Sequence, residues 1–349
     1  QWRREETEAA CDMLFLDEVT QAIRHLSAKT FAKGPFAREN LKRLAFLIKY
    51  AKQVVCMDAN LTQGEIDYIR GLRNNPADTV LTIWNKPHVN PQTIEITDNK
   101  ENITEKIKAD IVNNRKFYLA HNGSVESIQS LARQIGGDIL VICSKTINDE
   151  NVVAALSNPN EEFGKYDGVI VSPSLHSGLS YDVKGVIHSV YGLFINLTNS
   201  SMDACQMLRR VRHPISPVVA VSVKNIGGVS RPTTYKSYVN HLMANREEIM
   251  DENAAATNTC DFGIDRYGTK SFTNDDYFKL FVNTKVSENL DRLHYTANFI
   301  KHQMVYGNTV KLMKGFDSKT LKKNKQEFDE IKKTRKVERC TALNEAKNI

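Results

Sequence analysis

Eight apolar runs of three to five residues, each bounded by polar residues, constrain this chain more than anything else in it. They are Met13–Leu16, Val54–Met57, Val80–Trp84, Phe117–Ala120, Ile139–Cys143, Val169–Val171, Leu193–Ile195 and Val218–Val221. Short continuous apolar runs, rather than alternating ones, suit parallel strands covered on both faces. Parallel strands need crossovers, and stretches of helical periodicity such as Ser124–Ile135 lie between the runs. Strand–helix alternation of this kind predicts an α/β architecture. At 349 residues the chain is too long for one ordinary domain.

Two breaks divide it. Residues Trp84 to Glu105 carry Pro87, Pro91 and the polar run Thr97–Asn102, and read as an interdomain connection. Gly227 to Pro232 is the second break, after which the sequence turns polar and helical. The predicted domains are 1–90, 91–226 and 227–349. In the last, Asn245–Glu252 and Ser287–Met304 read as helices, and Leu321–Arg339 as a solvated helix with few apolar residues. No apolar run reaches the roughly 20 residues of a membrane helix, so no membrane partner is expected. The six cysteines form no C-x-x-C pair, which argues against zinc and for a reducing, intracellular setting, nucleus or cytoplasm. A net charge of +6 is compatible with a nucleic-acid partner.

Four segments carry chemistry. Leu14-Phe15-Leu16-Asp17-Glu18 puts two carboxylates at the end of a strand, where ligands bind in open α/β sheets. Asp17 can hold Mg²⁺ and Glu18 can polarise an attacking water; a plain helix start is the ordinary alternative. Val54 to Leu61 is a second strand ending in a polar cluster with Asp58 and Asn60, which also suits a simple capped turn. Ser172 to Asp182 is a Ser- and Gly-rich loop, including Ser174, Ser177 and Gly178, that can approach phosphates or simply cover a surface. His176 within it is read as structural or solvated. Gln206 to Arg212 lies on a predicted helix opened by Asn199-Ser200-Ser201, and Arg210 and Arg212 can fork onto phosphate oxygens or form a basic surface face.

In this order the four segments resemble motifs II, III, V and VI of helicase superfamily two. Their wording resembles the herpesvirus-type replication origin-binding protein family over roughly residues 8 to 222, supported by Lys116–Ala120 and Ile139–Thr146, which resemble the first two strands of a second lobe. The resemblance implies tandem RecA-like parallel-sheet lobes, the first truncated, followed by a mostly helical basic extension. It implies an ATP-dependent DNA helicase acting at replication origins, with ATP and Mg²⁺ as cofactors and DNA, single-stranded or origin duplex, as partner; a viral member would work in the host nucleus. On that resemblance Asp17, Glu18, Arg210 and Arg212 are catalytic. Asp58, Asn60, Gln206, Gly178 and Asp182 would serve the nucleotide, and Ser172, Ser174 and Ser177 the nucleic acid.

Two departures stand out. Arg209 occupies a position where many members of the family have glycine. The family's phosphate loop, G-x-x-x-x-G-K-[ST], lies many tens of residues before the Asp-Glu strand, whereas sixteen residues precede Asp17. The near miss at Gly263–Ser271 has its lysine one place late and no strand before it, and reads as coincidence. The chain is therefore expected to be a fragment, inactive alone as an ATPase. The alternative is a non-catalytic nucleic-acid-binding or scaffolding remnant.

Overall fold

The computed structural model describes residues 11–26, 37–58, 61–74, 79–83, 90–173, 179–227, 231–244, 262–264, 270–272 and 275–347. The chain divides into two units: Gln1–Asn85 with Val229–Leu290, and Lys86–Gly228 with Asp291–Ile349. The segment after 227 is thus shared between them. The expected helix Asn245–Glu252 lies outside the described residues.

In the first unit β1 (Met13–Asp17) and β2 (Gln53–Met57) pair in parallel, with Asp17 opposite Met57. Their inward residues Leu14, Leu16, Val54 and Cys56 pack on Val19 and Ile23 of α1 (Val19–Leu26), Ile48 of α2 (Ala37–Tyr50), and Tyr68 and Ile69 of α3 (Gln63–Arg73). Side chains alternate across a strand, so Met13, Phe15 and Met57 point the other way and are exposed. Thr62 and Glu65 form a capping box at the start of α3. A second small core joins α8 (Tyr235–Met243) to the first turns of α9 (Asp276–Leu293) through Tyr238, Leu242, Phe278 and Phe281. Residues 262–264 and 270–272 form an antiparallel pair, β9 and β10. The expected strand Val80–Trp84 does not form: Val80, Leu81 and Ile83 are exposed and outside any sheet, and Trp84 is outside the described residues.

The second unit is built on a wholly parallel seven-stranded sheet. Its strands are β3 (Thr93–Thr97), β4 (Lys116–His121), β5 (Ile139–Ile142), β6 (Gly168–Val171), β7 (Ile187–Ile195), β8 (Val218–Lys224) and β11 (Thr309–Leu312), in the order β11-β3-β8-β7-β4-β6-β5. The α/β class with parallel sheets agrees with the sequence reading, and beyond residue 275 the chain is helical apart from β11. Two strands of this sheet were missed, as were β9 and β10 of the first unit: β3 falls inside the supposed connection, and β11 inside the supposed extension, where it completes the sheet edge.

Both faces of this sheet are covered. Tyr118, Ala120, Ile142, Val171, Phe194 and Val221 face one core with residues of α6 (Glu150–Ser157), α7 (Ser201–Leu208) and α10 (Tyr295–Val305). Phe117, Leu119, Ile170, Tyr191 and Ala220 face the other, against α4 (Lys100–Val112), α5 (Val125–Ile135) and α11 (Ser318–Lys347). The close approach of β4 to β6 requires Gly168, where a Cβ would lie 2.2 Å from the Phe117 ring. The helix expected over Ser287–Met304 is broken at His294 into the end of α9 and α10. Leu321–Arg339, expected to be solvated, is packed along one side: Asn324 and Phe328 are buried, and Phe328 joins the α4–α5 core. Asn324 and Phe328 suffice for that, because residues four apart lie on one side of a helix. Among the described residues no helix is long and apolar enough to cross a membrane.

Candidate functional site

Each unit contributes one group of the predicted residues. In the first unit, β1 ends at exposed Asp17, and Glu18 follows in the left-handed backbone region at φ 48°. For a residue with a Cβ that conformation costs about 1–2 kcal/mol. Three hydrogen bonds hold it. The Asp17 carboxylate accepts from the Glu18 amide at 3.0 Å, the Glu18 carbonyl accepts from the Ala22 amide at 3.0 Å, and the Asp58 carboxylate accepts from the Thr20 amide at 2.8 Å. Asp58, just past β2, therefore satisfies one of the orphan amides at the start of α1, and its negative charge suits that end of the helix. The result is a sharp turn that carries three carboxylates, Asp17, Glu18 and Asp58, at the carboxyl end of a parallel strand pair. Asn60 lies outside the described residues.

In the second unit, α7 is opened by a capping box between Ser200 and Asp203, as its sequence predicts. Gln206 lies in its last turn. The arginines do not lie on the helix: Arg209 is its C-cap, and Arg210 and Arg212 follow in a turn. That turn is stitched to the loop segment at 179–182. The Tyr181 amide donates to the Arg210 carbonyl at 2.8 Å and the Arg212 amide to the Tyr181 carbonyl at 2.9 Å, forming a parallel bridge between Tyr181 and Val211. The Arg210 guanidinium donates to the Leu179 carbonyl at 3.2 Å, and Arg212 Nε donates to Ser180 Oγ at 3.2 Å. Ser180 Oγ in turn donates to the Asp182 carboxylate at 3.2 Å, and the Asp182 amide is held by Asn160 at 2.8 Å. Arg210, Arg212 and Asp182 are thus brought together.

Ser172 is placed elsewhere. Buried at the end of β6, it lines a shallow cavity of about 270 Å³ with Asn122, Gly123, Val125, Ile128, Pro173 and Thr198, at the carboxyl ends of β4, β6 and β7. Ser174, Ser177 and Gly178 lie outside the described residues, as does His176.

Sequence reasoning missed the supports of this arrangement. Asp291 accepts from the Ser201 amide at 2.7 Å and the Ser201 hydroxyl at 2.5 Å, anchoring the start of α7 from ninety residues away. Asn122 donates to the Ile195 carbonyl and to Asn199, and accepts from the Ile195 amide, tying β4 to the end of β7. Arg209 stacks its guanidinium over the Tyr306 ring at 4.5 Å, which fixes the helix end that carries the other two arginines. A half-buried aromatic–arginine pair separated by about a hundred residues leaves no local sequence signal. His121 is buried and neutral, its pKa pushed down to about 3 by burial and by the nearby Lys100, and its Nδ1 accepts from the Gly123 amide at 2.8 Å.

No protein-family model matches the chain. Curated relatives include proteins of African swine fever virus that carry the name helicase/primase complex protein. The one from strain Badajoz 1971 is 22% identical over 330 residues, covering 92% of this chain and 30% of the relative, and the one from the Malawi tick isolate is 21% identical over 329 residues, covering 92% and 29%. The chain therefore spans under a third of the length of the relatives it matches. Among solved structures, the Mycobacterium smegmatis helicase Lhr bound to single-stranded DNA and AMP-PNP is similar at 12% identity and a TM-score of 0.40, over 79% of this chain and 43% of that one. T. fusca Cas3 with ATP is similar at 13% identity and a TM-score of 0.43, over 84% and 37%.

Proposed function

We propose that the chain is the part of a nucleotide-driven, helicase-related DNA replication protein that carries its catalytic carboxylates and its arginines. The observation that carries this reading is the Glu18 turn. A glutamate sits in a left-handed conformation at the end of a parallel strand, braced by Asp17 on one side and by Asp58 through Thr20 on the other. Backbone strain of this kind collects at functional sites, and a carboxylate that can hold a metal beside one that can position a nucleophile suits phosphoryl transfer. The exposed carboxylate of Asp17 suits Mg²⁺, which is commonly held by one or two carboxylates together with waters and substrate phosphates. Glu18 would orient the attacking water. Arg210 and Arg212 would supply positive charge to the transferring phosphoryl group, with Asp58, Asn60, Gln206, Gly178 and Asp182 assisting nucleotide binding. Ser172, Ser174 and Ser177 would contact the nucleic acid. The names of the viral relatives support a place in a replication assembly. Replication origin binding, the finer function, rests on the resemblance of the four motifs.

The test is Glu18→Gln in the complete protein. Loss of a positioned general base costs about 10²- to 10⁴-fold in turnover. ATP affinity should stay within about threefold, since the substitution removes a charge without removing a phosphate ligand. Undiminished turnover would take Glu18 out of the mechanism, whereas a complete protein that binds nucleic acid and turns over no ATP would leave the alternative, a non-catalytic nucleic-acid-binding or scaffolding module.

A further inference from the structure

Helix α11 has two unlike sides. Its packed side spends the acidic residues it carries: Glu327 accepts from Lys108 of α4 at 2.8 Å, and Glu338 pairs with Arg133 of α5 at 3.1 Å. Asn324 is buried there, its carbonyl accepting from Gln134 at 2.7 Å, and Phe328 lies beneath the Lys100 ammonium, 3.2 Å from its ring centre. The helix is thus fastened to the second unit along its inner side. The other side carries seven exposed lysines, Lys319, Lys322, Lys323, Lys325, Lys332, Lys333 and Lys336, against two exposed carboxylates, Asp329 and Glu330. None of the ion pairs among the described residues uses any of the seven. Like charges three and four residues apart repel one another on a helix, and Asp329 and Glu330 offset only part of that repulsion, so the face keeps a net positive charge that a polyanion would relieve.

We propose that the outer face of α11 is a docking surface for the phosphate backbone of duplex DNA. Three features of the face select this occupant. Its cations are all lysines, point charges that suit single phosphate oxygens rather than the paired edges of a base. It presents no aromatic side chain on which an unpaired base could stack, and tracks for single strands depend on such stacking. It is one continuous helix: from Lys322 to Lys336 it rises about 21 Å, enough to meet several phosphates of one duplex. The proposal deepens the reading above by naming where duplex would be held, but it does not depend on nucleotide turnover.

The test uses this chain without nucleotide. Lys322, Lys325, Lys333 and Lys336 are replaced together by glutamine, which keeps helix propensity and removes only charge. Binding to a labelled duplex of about 20 base pairs is followed by anisotropy between about 50 and 200 mM KCl; each lost phosphate contact lowers the slope of log affinity against log salt by about 0.9, so the variant should lose about 3 to 4 in slope and at least tenfold in affinity at about 100 mM. Lys165→Gln, at an exposed lysine elsewhere in the unit, should leave the slope unchanged, and circular dichroism should show an intact fold for both. An unchanged slope in the fourfold variant overturns the proposal. So does tighter binding of the wild-type chain to a single strand or to polyglutamate than to duplex, the latter reassigning the face to an acidic protein. An inactive or active Glu18→Gln protein bears on neither result.

Discussion

The two parallel sheets in this molecule are made from similar sequence and end in different states. In the second unit β4 buries Phe117, Tyr118, Leu119 and Ala120 completely, because helices cover both faces of the sheet. In the first unit Phe15, at the middle of β1, is 59% exposed, and Met13 and Met57 beside it are exposed as well. The apolar runs look alike because an apolar run records what a strand is built to bury, not what covers it. The arginine group is consequently held by a deep scaffold, while the carboxylate group rests on two strands with one packed face among the described residues. The carboxylate turn relies instead on its own hydrogen bonds, those of Asp17 and Asp58.

The largest expected effect separates chemistry from scaffold. Arg210→Ala in the complete protein should lower turnover by about 10³-fold or more, the range of arginines that stabilise phosphoryl transfer, with nucleotide affinity nearly unchanged. The second unit should stay folded, as circular dichroism would check, since the lost guanidinium gives up a 3.2 Å bond to the Leu179 carbonyl from a half-buried position. If the variant weakened nucleic-acid binding alone, the arginine would belong to a different task.

The next prediction bears directly on the contrast between the sheets. Phe117→Ala should cost about 3–5 kcal/mol in chemical denaturation, the usual penalty for emptying a buried aromatic site. Phe15→Ala should stay within about 0.5 kcal/mol, as expected for an exposed side chain. A penalty at Phe15 near that at Phe117 would mean that the outer face of β1 is covered in solution, and the contrast would fall.

Much of this was legible in the sequence, and the exceptions have physical causes. Seven of the eight apolar runs are strands; five lie in the sheet covered on both faces, which leaves a continuous apolar trace, and two, β1 and β2, carry the same trace with one face packed. β3 was missed because Ile94 and Ile96 alternate with Thr93, Glu95 and Thr97, and Glu95 is kept near the surface by Lys106 at 2.8 Å. β11 was missed because an edge strand exposes much of itself; Leu312 is 87% exposed. Val80–Ile83 has the composition of a strand but no neighbour to pair with among the described residues. At the site, the adjacency of Asp17 and Asp58 follows from consecutive parallel strands. The backbone sign of Glu18, the bridge from Tyr181 to Val211 and the Asp291 anchor depend on tertiary structure and leave no local pattern.

The smallest expected effect inverts the comparison. His121 lies at the end of β4 in the best-buried part of the molecule, and burial, with Lys100 nearby, pushes its pKa down to about 3. Its Nδ1 accepts the Gly123 amide, so the folded state holds the neutral ring with its proton on Nε2. In the unfolded chain the ring titrates near 6.5, so the unfolded state takes up a proton that the folded state refuses. The sign follows: the stability contributed by the neutral ring is fully present above about pH 6.5 and is lost as pH falls from there toward 3. Between pH 7 and pH 5 the loss should reach about 2 kcal/mol, at 1.36 kcal/mol per pH unit below the unfolded pKa. His121→Asn should abolish that slope, whatever it costs at neutral pH. Denaturation curves for both proteins at the two pH values measure the difference, and parallel losses would show that the ring charges inside the fold. The tighter sheet is then the more acid-sensitive one, because complete burial makes protonation within the fold costly.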